Sequence, residues 1–160
     1  MSLGVGVPEP AAGVPDLGEL YVSQREGLVR LARLLTGSDS IAEELVQDAF
    51  VRLHTVHVAP DNPGGYLRIV VVNLCRDHLR RRTRARRHLV STALPATPTE
   101  IDETWIAVGT LPPRQRAAVV LRYYLDLPEA EIAQLLGCRP GTVKSTLSRA
   151  LAALRKELGR

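Results

Sequence analysis

The sequence predicts an all-α protein: two small helical domains joined by a flexible linker, the C-terminal one containing a helix-turn-helix. Three observations predict it. Aromatic residues make up only 4% of a chain that is 45% hydrophobic, a composition that suits cores of Leu, Val and Ala better than a sheet. Apolar residues recur at three- and four-residue spacing through most of the chain, which is the period of a helix face. That period lapses over LVSTALPATPT, Leu89 to Thr99, where small residues and prolines read as a linker. A chain of 160 residues has room for one ordinary domain or two small ones.

Met1 to Pro15 is rich in Gly, Pro and Ala without periodicity, and reads as a disordered tail. Asp16 suits the cap of a helix running to about Thr36, with Leu17, Leu20, Tyr21, Leu28, Leu31 and Leu35 on one face and Gly37 beyond its end. Ser38 or Asp39 suits the cap of a second helix. Its Ile41, Leu45, Ala49, Leu53 and Val56 share an inward face, and Glu44, Gln47, Asp48 and Val51 point away. That outward face is acidic and carries one exposed valine. It is either a solvated helix surface or a docking site for a basic partner.

APDNPGG, Ala59 to Gly65, is a turn by composition. The next helix spans about Gly64 to Arg82. Its first half is apolar almost all round, which makes it central to the first domain, and its second half is a basic rod. Asn73, Asp77 and Arg80 fall on one face where the two halves meet. Beyond the linker, Ile101, Trp105 and Val108 mark a short helix. The double proline at 112 and 113 starts another, Arg114 to Leu125, whose Val119, Val120, Leu121, Tyr123, Tyr124 and Leu125 support the C-terminal motif.

That motif is the helix-turn-helix. Ile132, Leu135 and Leu136 give its first helix an apolar side, Ala133 is small at the crossing, and Gly137 supplies the turn. Pro140 begins a second helix with Val143, Leu147, Ala150, Leu151, Leu154 and Leu158 in one buried stripe. The opposite side carries Thr142, Ser145, Ser148 and Arg149, with Lys144 and Arg155 on a flank, all donors and no acid. One helix fits a major groove. Short hydroxyls let its backbone approach while Arg reaches base edges and Lys reaches phosphate.

The charge is unevenly spread. Between Arg76 and His88 there are seven arginines (76, 80, 81, 82, 84, 86 and 87) against Asp77 alone, leaving fourteen basic and sixteen acidic residues elsewhere. Helix chemistry accounts for one or two of these, through pairing with Asp77 and the C-terminal dipole. The remainder points to a polyanion, because Arg makes bidentate phosphate and base contacts. Cys75 and Cys138 lie far apart with no CxxC pair, which predicts neither a disulfide nor a zinc framework. Cys75 with His78 is half a metal site lacking a second pair of ligands. No catalytic residue, metal or cofactor is expected. The sequence shows no membrane-length apolar run and no charged-then-apolar leader, so a cytoplasmic location without membrane insertion is expected.

Taken together, ELVQDAF and NLCRDHLRRR in the first half, with LPPRQRAAVVLRYYLDLPEAEIAQLLG and GTVKSTLSRALAALR in the second, resemble the two domains of a small sigma factor of bacterial RNA polymerase. The group it resembles is the extracytoplasmic-function type of the sigma-70 family, which keeps only regions 2 and 4. The resemblance covers about Asp16 to Leu158. It implies a region 2-like domain over residues 16–88, a linker at 89–100 and a region 4-like domain over 101–160. It also implies that Glu44, Gln47 and Asp48 dock on a coiled coil of the largest subunit of core RNA polymerase, whose flap region is a further partner.

The same resemblance implies that Asn73, Asp77, Arg80 and Arg81, with Arg82 and Arg84 on the same cationic run, read the melted −10 element of promoter DNA. A base is read on its pairing edge only once unstacked, so a polar pocket beside a cationic track suits that task. Arg139, Thr142, Lys144, Ser145, Ser148 and Arg149 would read the −35 duplex. An anti-sigma protein of unknown identity would be the regulator. Some positions depart from the family pattern: His54 and Tyr66 stand where Trp is common, and Pro128 and Arg139 where Ser or Thr often caps the helices of the motif.

Two other classes remain. A polymerase-independent helix-turn-helix repressor or activator would need a dimer to read a palindrome, and no spare dimerisation helix is visible. A nuclease would need clustered carboxylates or a metal set near the basic segment, and Asp77 with His78 is too little.

Overall fold

The computed structural model describes residues 16–56, 60–86 and 103–159, and among them it is helical with no strand. The tail expected for residues 1–15, the linker expected at 89–100, and Ile101 lie outside the described residues. Seven α-helices are arranged along the described residues. They are α1 (Leu17–Thr36), α2 (Asp39–Thr55), α3 (Pro63–Arg86), α4 (Glu103–Thr110), α5 (Pro113–Val119), α6 (Glu129–Leu136) and α7 (Pro140–Glu157). A π-helical segment, Val120–Tyr124, continues α5.

Local chemistry sets the first boundaries where the sequence places them. The Asp16 carboxylate accepts from the N–H of Gly18 at 3.3 Å and caps α1. Gly37 ends that helix at φ 73°, its N–H donating to the C=O of Arg33 at 2.8 Å. Ser38 Oγ then accepts from the N–H of Ile41 and caps α2, while an Arg33–Asp39 ion pair ties the two helices at the corner. Helix α3 has a cap that composition alone did not reveal: Asn62 Oδ1 accepts from the N–H of Gly65 at 3.0 Å, with Pro63 at the first turn.

The first three helices share a core. Leu28, Leu31 and Leu35 of α1 and Leu45, Val46, Ala49 and Phe50 of α2 are buried, and α3 packs on both helices with Leu67, Val71, Leu74 and Cys75. Tyr21 meets Phe50 edge to face at 4.9 Å, an aromatic contact that involves neither His54 nor Tyr66. Three expectations are corrected here. Val56 stands at the end of α2 beyond its partners and is exposed. Helix α3 is not covered all round, for Ile69 is 51% exposed. It also runs four residues past Arg82, since Thr83, Arg84, Ala85 and Arg86 contain no breaker and Thr83 Oγ1 bonds back to the C=O of Leu79 at 2.9 Å.

In the second half, Val119, Val120 and Leu121 form the centre against which α6 and α7 pack through Ile132, Ala133, Val143, Leu147, Ala150 and Leu154. The single helix expected over Arg114–Leu125 changes geometry after Val119. The N–H of Leu125 donates to the C=O of Val120, the five-residue spacing of a π turn, and the N–H of Leu127 reaches the C=O of Leu121 as the chain leaves the helix. Asp126 at φ 53° and Pro128 then end the segment. Tyr124 meets Trp105 edge to face at 5.9 Å, whereas Tyr123 faces solvent and gives the core nothing. The two halves touch. Helix α5 and the π segment rest on α1, and α6 rests on α3.

Candidate nucleic-acid and polymerase interfaces

Helix α7 is built to show one face. Gly137 takes φ 63°, and the N–H of Cys138 reaches back to the C=O of Ala133 at 2.9 Å, closing a Schellman-type turn that aims the chain into α7. Neither Pro128 nor Arg139 places a side-chain cap on its helix. Arg139 is exposed beside the uncapped amides of α7, free to meet an anion. Val143, Thr146, Leu147, Ala150 and Leu154 are buried, and Lys144, Ser145, Ser148 and Arg149 are exposed, with Thr142 half-buried. Ser145 Oγ donates to the C=O of Thr142 at 3.0 Å, and Arg149 Nη2 donates to Ser145 Oγ at 3.5 Å. The guanidinium is thus held along the exposed face. Buried Thr146 was missed because a hydroxyl breaks the apolar stripe. Leu158, assigned to that stripe, is 36% exposed because it comes after the last helical turn.

The acidic face of α2 shows Glu44, Gln47 and Asp48, all exposed, beside Val51 at 59% exposure. Asp48 pairs loosely with Arg52 at 3.8 Å, and at such exposure the pair holds little energy against a competing partner. An apolar groove lined by Leu17, Tyr21, Phe50, Val51 and His54 adjoins it. The groove joins two helices, so no periodicity within one helix could disclose it.

On α3, Asn73 is half-buried, Asp77, Arg80, Arg81 and Arg84 are exposed, and Arg82 is half-buried. No ion pair joins Asp77 to an arginine among the described residues. His78 is held below its ordinary pKa by burial and by the charges of Arg82 and Arg81, against a smaller opposing pull from Glu44. Glu44 of α2 and Arg81 and Arg82 of α3 therefore act on the same imidazole.

The residue that sequence reasoning left in the crowd is Arg76. Its Nη1 donates to the C=O of Leu135 in the last turn of α6. A Cβ added at Gly137 would lie 3.9 Å from the guanidiniums of both Arg76 and Arg80. Two cations thus face the carbonyl end of a helix, where the helix dipole favours positive charge. Asn73 and Arg76 line a cavity of about 760 Å³ whose far wall is α6, through Glu131, Gln134 and Leu135. Cys75 beside them is buried and its thiol is pushed up to about 12 by that burial, which leaves it inert. No group of three or more His, Cys, Asp or Glu suited to a metal ion occurs among the described residues. No helix there is long and apolar enough to cross a membrane.

Comparison with known proteins gives this arrangement its family. A family model described as sigma-70 region 2 matches residues 20–85, and one described as sigma-70 region 4 matches residues 106–154. The RNA polymerase sigma-E factor of Streptomyces coelicolor is 34% identical over 156 residues, covering 91% of this chain and 87% of that protein. The ECF RNA polymerase sigma factor SigE of Mycolicibacterium smegmatis is 31% identical over 93% of this chain, which spans 64% of that protein's length. Among solved structures, the sigma factor RpoE in complex with the anti-sigma factor NepR from Bartonella quintana superposes with a TM-score of 0.66 at 25% identity, over 91% of this chain and 98% of that one. Both family models and relatives above 30% identity thus match along nearly the whole chain, over the two halves that carry the arginine-tailed α3 and the donor-faced helix-turn-helix, and the protein belongs to the extracytoplasmic-function group of sigma-70 family RNA polymerase sigma factors.

Proposed function

We propose that the chain directs core RNA polymerase to its promoters through three faces. Glu44, Gln47 and Asp48 dock on a basic coiled coil of the polymerase. Asn73, with Asp77, Arg80, Arg81, Arg82 and Arg84, holds the unstacked −10 strand. Arg139, Thr142, Lys144, Ser145, Ser148 and Arg149 read the −35 duplex. The observation that carries this reading is the all-donor face of α7, together with a half-buried Asn73 in mid-α3, where the cationic half of that helix begins. Protein binding, duplex readout and capture of a single strand have separate surfaces. The domains run over residues 16–88 and 101–160, and the work is binding work in the cytoplasm with no bond made or broken by the protein.

The promoter sets a geometric demand. Elements named −10 and −35 are about 25 base pairs apart, or roughly 85 Å at 3.4 Å per pair, whereas here α6 rests on α3. The two halves must part before both elements are read. A partner of the anti-sigma class, such as accompanies the Bartonella neighbour, would act by opposing that separation. Co-purification with core polymerase, followed by transcription from a pool of promoter fragments, tests the proposal. Stable binding with discrete new start sites is expected. Duplex binding without polymerase recruitment would instead mark a repressor.

A further inference from the structure

A second cavity, of about 380 Å³, lies in the seam between the two halves. Leu35, Val72, Leu79 and Leu136 make its walls apolar. Around them stand Arg76, Arg80 and Arg84 from α3 and Arg114 from α5, and no carboxylate lines it. Beyond the cavity lining, the half-buried Arg116 of α5 has its pKa lowered by burial and then by the charge of Arg82. Among the lining residues, Arg76 has its Nε buried without a hydrogen-bond partner among the described residues. A volume in the range of small-molecule sites, an apolar interior and an unneutralised cationic rim describe one ligand chemistry.

We propose that this seam binds a single-chain amphiphilic anion, an acyl chain in the cavity with its carboxylate or phosphate head among Arg76, Arg80, Arg84 and Arg114, and that the bound anion holds the two halves together. An inorganic anion would leave the apolar walls wet, and an uncharged hydrocarbon would leave the arginines unmatched. The binding stands by itself. Its consequence, that an occupied seam withholds Arg80 and Arg84 from the −10 strand, rests on the proposed promoter function.

Calorimetric titration of the full chain with dodecanoate, dodecyl phosphate and dodecyltrimethylammonium, each below its micelle concentration, tests the site. The two anions are expected to saturate at one per chain and the cation not to bind. The tighter of the two heads distinguishes a fatty acid from a phospholipid-derived source. Each methylene removed from the chain should weaken binding about fourfold. Arg114→Gln, an exposed position outside the three faces, should weaken both anions roughly tenfold with helical content unchanged. Ala117→Phe should fill the cavity and abolish binding. Equal binding of the cation, affinity independent of chain length, or wild-type affinity in Arg114→Gln would each overturn the site. Polymerase co-purification without amphiphile fails only if the promoter function is wrong, so the two failures are separable.

Discussion

Arg76→Ala is the perturbation that the contact between the halves makes most informative. The wild-type guanidinium donates to the C=O of Leu135 at the carbonyl end of α6. A charged hydrogen bond of this kind contributes about 1.5–3 kcal/mol, and a cation at a helix C-terminus about 0.3–1 kcal/mol when exposed. Arg80 stays beside Gly137 and retains part of the second effect. A net loss of about 2 kcal/mol shifts the equilibrium between joined and parted halves roughly thirtyfold. Spin labels at Glu26→Cys on α1 and Ala152→Cys on α7, both exposed, in a Cys138→Ser background, report that equilibrium as a distance distribution. Cys75 needs no replacement because it is buried with its thiol pushed up to about 12. The short-distance population should fall in Arg76→Ala, and Arg76→Lys should recover part of it. An unchanged distribution in Arg76→Ala would refute the claim that this contact holds the seam.

Other outcomes are expected from the same structure. Gly137→Ala should destabilise the second half by about 1–2 kcal/mol in chemical denaturation, the cost of a left-handed backbone for a residue with a Cβ, because φ is 63° and nothing lies nearer than 3.9 Å to the added atom. Lys144→Ala should weaken −35 binding uniformly across sequences and reduce the salt slope by about one, whereas Arg149→Ala should cost about 1–3 kcal/mol at a particular base pair and relax specificity there. For His78, the folded pKa lies below the unfolded value of 6.5, so the unfolded chain binds the proton more readily. Its contribution is full above 6.5 and is lost as pH falls from there through the folded value. His78→Gln should flatten that part of a stability–pH curve, and an unaltered slope would count against the assigned environment.

What was legible in the sequence was what one helix decides alone. Asp16, Ser38, Gly37 and Gly137 set helix ends by local bonding, and the donor face of α7 comes from its own period. Legibility failed where a neighbour decides. Val56 and Leu158 continue an apolar stripe past the last residue of a partner and so become exposed, and Ile69 sits on the side of α3 that no helix covers fully. The π turn after Val119 reflects how the chain enters the Asp126–Pro128 corner, which no propensity of Val120–Tyr124 announces. Arg76 looked like one of seven arginines. Only the approach of α6 singles it out, and the seam cavity likewise exists only where α5 and Leu136 of α6 come up against α1 and α3.

The central claim is that separate faces carry polymerase docking and strand capture. Permanganate reactivity of unpaired −10 thymines, measured beside polymerase binding, tests it most directly. Asn73→Ala should keep core polymerase and lose the reactive thymines, while Asp48→Lys should lose the polymerase first. Full strand opening by Asn73→Ala, or loss of polymerase binding by that variant, would contradict the account.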